Sequence, residues 1–130
     1  MASIRRVYRK GERIMEEKFV PIIDLGQKRE RLLKEAEIYR ENGEIAKALS
    51  NYNEFLNIGE RFKDYSRHHE GYWGMYLTWY NHCLLCKNWN TLVEDLYNVA
   101  LVYAPSEKQE EYKKIYNKNL KIFNQEISNK

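Results

Sequence analysis

The stretch Gly43-Glu44-Ile45-Ala46-Lys47-Ala48-Leu49-Ser50-Asn51-Tyr52-Asn53-Glu54-Phe55-Leu56 decides how this chain is read. Gly43 permits a turn, because it lacks the Cβ that bars most residues from left-handed backbone. Ala48, Tyr52 and Phe55 follow it at helical spacing, and Leu32, Leu33, Ala36 and Tyr39 precede it in the same way. The pattern is two helices joined by a short turn. The small Ala36 and Ala48 suit a close crossing, with Tyr39, Tyr52 and Phe55 filling the space beside them.

A second, weaker copy follows. Lys87-Asn88-Trp89-Asn90-Thr91-Leu92-Val93-Glu94-Asp95-Leu96-Tyr97-Asn98-Val99-Ala100-Leu101 lies on Gly43 to Asn57. Trp89 then falls on Ile45, Leu92 on Ala48, Leu96 on Tyr52 and Val99 on Phe55. The hydrophobic pattern is kept, while the small residue and the turn glycine are lost. Asn88, beside the glycine's place, can also take a left-handed conformation.

These two segments resemble the hairpins of the tetratricopeptide family over about Gln27 to Pro105. The first copy keeps Tyr39, Ala48 and an aromatic at Tyr52. It departs at Leu32, Glu35 and Glu60, where the pattern has Trp, Leu and Pro. From residue 43 to residue 87 the offset is 44, longer than the roughly 34 of the basic repeat. The connecting segment Ile58 to Trp73 is similar to the linking region of the long subclass. That subclass occurs in bacterial response-regulator phosphatases and in scaffold proteins of cell polarity. The resemblance implies hairpins that cannot bury their apolar faces singly, stack on neighbours, and bind other proteins.

Composition agrees with a helical domain. The 130 residues suit one domain, with 43% hydrophobic and 32% charged content. Only 6 Gly and 2 Pro disfavour a strand-and-turn architecture. Aromatic content is 14%, dominated by 11 Tyr, which suits helix crossings and binding faces alike. The net charge of +3 is mild for a nucleic-acid binder. Two cysteines imply no disulfide framework, and no window approaches a membrane span. No signal peptide is evident, so a cytoplasmic setting is expected.

Six helices are expected in all. Ser3 to Lys18 forms the first, and Phe19-Val20-Pro21-Ile22-Ile23 breaks the chain. The second starts within Asp24 to Gln27 and runs to about Asn42, and the third runs from Glu44 to about Asp64. The fourth, His69 to Lys87, is apolar around most of its circumference and is expected to be central. The fifth spans Asn90 to Tyr103. Ala104-Pro105 ends it, and Ser106-Glu107-Lys108-Gln109 reads as a capping box opening the sixth. That helix carries Tyr112, Ile115, Tyr116, Leu120, Phe123 and Ile127 on one stripe. The expected fold is thus all-α, about six antiparallel helices stacked as hairpins with helical caps. The single domain divides into 1–26 (cap helix and break), 27–105 (two hairpins) and 106–130 (C-terminal cap).

No constellation points to catalysis. Cys83-Leu84-Leu85-Cys86 beside His82 lacks the second ligand pair of a zinc site. Both sulfurs are expected to act as small apolar groups. His68-His69-Glu70 reads as a polar interhelix connection, since adjacent histidines on a helix face apart. No catalytic triad, phosphate loop or di-metal Glu-x-x-His motif occurs. Neither metal nor cofactor is expected. Arg5, Arg6, Arg9, Lys10 and Arg13 could meet RNA phosphates or an anionic membrane surface, but Glu12, Glu16 and Glu17 dilute that field, and a solvated face with intrahelical ion pairs is the preferred reading.

The expected function is therefore protein recognition, as an adaptor or regulatory subunit without catalysis. In the resembling family the first helix of each hairpin lines a concave groove. Carried onto this chain, the partner-binding candidates are Glu30, Leu33, Lys34, Glu37 and Arg40, then Leu77, Thr78, Asn81 and Leu84. Asn81 matches a main-chain clamp, because its amide both donates and accepts. The alternative is a small helical subunit of a ribonucleoprotein complex, working through the basic N-terminal segment.

Overall fold

A computed structural model describes residues 22–128 of the chain. Its elements are α1 (Ile22–Glu41), α2 (Ile45–Phe62), α3 (His68–Cys86), α4 (Leu92–Tyr103) and α5 (Ser106–Ser128), and no strand occurs among the described residues. These are the second to sixth expected helices. The first, with its five basic residues, lies outside the described residues. The chain divides into two compact units between Glu30 and Arg31, inside α1. The second unit holds the rest of α1 and all of α2 to α5.

Consecutive helices run antiparallel, and particular side chains fix this. Asn51 of α2 donates to the Leu32 carbonyl and to Glu35 of α1. Along α2 and α3, Glu60 meets His68 while the earlier Tyr52 meets the later Gly74. Along α3 and α4, His68 packs on Tyr103 and Tyr76 on Tyr97. Along α4 and α5, Gln109 reaches the Leu101 carbonyl and Tyr97 stacks on Tyr116. Two reversals leave α3 and α5 parallel, with His69 on Tyr112 and Tyr76 on Asn119. Helix α3 therefore touches α2, α4 and α5, the central place its all-round apolar sequence implies.

The core is aromatic. Tyr76 is fully buried and packs against Trp73, Tyr80, Tyr97 and Tyr116. The Tyr97 and Tyr116 rings stack 3.9 Å apart. Asn119 supplies the polar partners this core needs: its amide donates to the Tyr76 hydroxyl at 3.0 Å, and its carbonyl accepts from the Tyr80 hydroxyl. Ala36 and Ala48 are both fully buried. Between α2 and α3 three glycines matter as well. A Cβ at Gly59 would crowd His68, one at Gly71 would lie 2.7 Å from Leu56, and one at Gly74 would overlap the Tyr52 ring.

Several local expectations are corrected. Ile22 and Ile23 belong to α1 and not to a break. The left-handed residue after α3 is Lys87 at φ +55°, not Asn88, and it occupies the place aligned with Gly43 at φ +80°. Lys63, at φ +54°, ends α2 in the same way, its N–H bonding back to the last turn. Gln109 forms no capping box. Its side chain turns backward and donates to the Leu101 and Ala104 carbonyls, which satisfies the end of α4 instead. On α5, Ile115 and Leu120 are only half-buried, and Asn119 takes the interior position.

Candidate functional site

The odd-numbered helices and one residue of α2 enclose a cleft of about 270 Å³. The second half of α1 supplies Leu33, Glu37 and Arg40. Helix α3 supplies Glu70, Trp73, Gly74 and Leu77, and α5 supplies Lys108, Glu111 and Tyr112. Tyr52 of α2 reaches the cleft from behind, its ring laid over the bare backbone of Gly74. The missing side chain at Gly74 is what lets that ring through.

Two walls are anchored from outside the cleft. Arg67 grips Glu70 with two hydrogen bonds, 2.8 and 3.0 Å, and these hold the Glu70 carboxyl below its usual range. Trp73 stacks on Tyr112 at 4.0 Å between nearly parallel rings. The Tyr112 hydroxyl lies 2.8 Å from Nδ1 of the buried His69. Lys108 pairs with Glu111 at 3.3 Å, one turn apart on α5. Arg40 and Glu37 make no ion pair among the described residues, although they too stand one turn apart.

The Tyr52 hydroxyl is the unusual group. The residue is 1% exposed, and its oxygen has no hydrogen-bond partner among the described residues. Burial pushes its pKa up to about 12. Arg40 opposes that rise, while Glu37 and Glu41 reinforce it. A buried phenol left without a partner costs stability, so this hydroxyl is the one buried polar group of the lining that the fold does not itself satisfy among the described residues.

Of the nine expected partner-binding residues, Leu33, Glu37, Arg40 and Leu77 meet in this cleft. Lys34 and Asn81 are exposed outside it, and Leu84 is half-buried against the core. Glu30 is exposed in the other unit. Thr78 is a correction: it is fully buried, its hydroxyl donating to the Gly74 carbonyl, so it presents nothing to a partner. The residues missed from sequence are Tyr52, Glu70, Trp73, Gly74 and the three of α5. The only sequence signal for them was helical phase, which cannot say which helices come together.

His68 and His69 are a second correction. They form the first turn of α3 and are buried, not part of a polar connection. His68 contacts Glu60 through Nε2 and sits among Tyr65, Tyr72 and Tyr103. Burial lowers the pKa of His69 below its usual 6.5. A proton therefore binds the unfolded chain first, so this stability is complete above about pH 6.5 and is lost on acidification toward the lower folded value. The urea midpoint is expected to fall between pH 7.5 and 5.5, and to fall less in His69→Gln.

The thiols part company. Cys83 is fully buried and accepts from the Asn90 backbone N–H. Cys86 is exposed, 3.3 Å from His82 Nε2, and so is not the apolar core group expected. Iodoacetamide is expected to label Cys86 in the native protein and Cys83 only after denaturation, read by mass spectrometry. No group of three metal-ligating side chains comes together among the described residues, and no helix there is long and apolar enough to cross a membrane. Comparison with protein-family models, with curated proteins and with solved structures returns no match.

Proposed function

We propose that the chain is a non-catalytic protein-recognition module, an adaptor or regulatory subunit, that takes a peptide or partner helix along the face shared by α1, α3 and α5. One observation carries this reading. The first, third and fifth helices all turn residues into one cleft, and Leu33, Glu37, Arg40 and Leu77 from the expected groove meet there. Helices that alternate between an inner and an outer row are the arrangement through which tetratricopeptide-like stacks bind partners. Left-handed backbone at both Gly43 and Lys87, places that align between the two copies, supports the same reading. The lining suits a partner with both apolar and charged side chains.

The test is selection of displayed random peptides on the immobilised chain, followed by binding to two mutant sets. Arg40→Ala with Asn81→Ala trims the groove and its flank, and the exposed Asn81 changes stability by less than about 0.5 kcal/mol. Charge reversal at Arg5, Arg6 and Arg9 alters the N-terminal segment. Selected peptides are expected to lose affinity for the first set and keep it for the second. The opposite outcome overturns the groove and moves recognition to the basic segment.

A further inference from the structure

We propose that the cleft also holds a small zwitterion, a free α-amino acid with an apolar side chain. Arg40 and the Tyr52 hydroxyl take its carboxylate, Glu37 takes its ammonium, and Leu33, Leu77 and Trp73 receive its side chain. Three observations converge on this ligand. The volume of about 270 Å³ lies just under the range of roughly 300–1,000 Å³ for small-molecule sites, and so suits a compact molecule. The Tyr52 hydroxyl is buried at the cleft and unpartnered among the described residues, so a donor awaits an acceptor there. Arg40 and Glu37 stand one turn apart on α1 and line the same cleft, yet make no ion pair with each other among the described residues. They are available to opposite ends of one ligand.

The other charges narrow the class. Glu70 is committed to Arg67 and Glu111 to Lys108. Three glutamates against two cations leave the lining short of positive charge, which disfavours a dianion such as phosphate. A lone ammonium is disfavoured as well, since it leaves the Arg40 guanidinium in the lining without an anion. A molecule with both charges meets neither objection. The Tyr52 proton donates to the ligand carboxylate, and the guanidinium completes a charge-assisted pair.

Nuclear magnetic resonance titration of the full chain with three probes tests this. L-leucine carries both charges, L-leucinamide the positive one, and N-acetyl-L-leucine the negative one. Leucine is expected to shift the amides of Glu37, Arg40 and Gly74 saturably. Each derivative should bind at least about tenfold more weakly, because each loses one charged hydrogen bond. Tyr52→Phe keeps the ring over Gly74 and so keeps the fold, and is expected to weaken leucine several-fold. Glu37→Gln is expected to remove the preference for leucine over N-acetyl-L-leucine. Equal binding of leucine and N-acetyl-L-leucine to the unaltered chain overturns the proposal, as does the lack of a saturable shift with leucine. Either result leaves peptide recognition along the helices standing, because that reading is tested by selected peptides and not by free amino acids.

Discussion

Tyr76→Ala is expected to cost about 3–5 kcal/mol, the largest loss from any single truncation in this chain. The residue is fully buried at the centre of α3, and its ring packs on residues from α3, α4 and α5. Truncation removes those contacts, leaves a cavity, and strands the Asn119 amide that now donates to the hydroxyl. Against a typical total of about 5–15 kcal/mol, such a loss leaves little folded protein at 37 °C. Tyr76→Phe separates the two contributions. It keeps the packing and removes only the hydrogen bond, so about 1–3 kcal/mol is expected. Urea unfolding followed by circular dichroism reads both variants. Equal losses would show that the hydroxyl and not the ring carries the contribution.

Gly74→Ala is expected to destabilise by about 1–3 kcal/mol, although alanine ordinarily favours a helix over glycine. The new methyl would overlap a buried tyrosine ring rather than the free end of a flexible chain. Gly26, in α1, provides the contrast. Nothing described lies within 4 Å of its added Cβ, so Gly26→Ala is expected to stabilise by about 0.5–1 kcal/mol. Pairing Gly74→Ala with Tyr52→Leu should recover part of the loss, since the smaller side chain makes room. The double-mutant cycle checks that coupling, and simple additivity would show that the two residues do not meet. The same variant should close the cleft, because Tyr52 enters it across Gly74.

Much of the architecture was legible. Apolar residues recurring near every 3.6 positions located the five described helices, and the expected ends fall within a few residues of those observed. Boundaries moved where backbone geometry outweighed composition. Lys87 is a poorer left-handed residue than Asn88 by type, yet it stands where α3 must stop for its N–H to bond back to Cys83. Gln109 does not cap its own helix because the carbonyls of Leu101 in α4 and of Ala104 just past its end lie within reach of its side chain.

The sequence by itself determined that this protein is helical, where its turns fall, and that α3 lies inside. Those properties are local, set by spacing within one segment and by the sidedness of each helix. Only the tertiary structure decided which polar groups are interior and which helices share a cleft. Thr78, His68, His69 and Asn119 look like surface residues by type, but each is buried because a specific partner meets it: the Gly74 carbonyl, Glu60, Tyr112 and Tyr76. The contacts that join α3 to α5 link residues about 40 apart in the chain, 39 for Tyr80 and Asn119 and 43 for His69 and Tyr112. No helical period encodes that separation. It follows from two successive reversals that lay α5 parallel to α3, and it is what brings Lys108, Glu111 and Tyr112 to Trp73 and Tyr52.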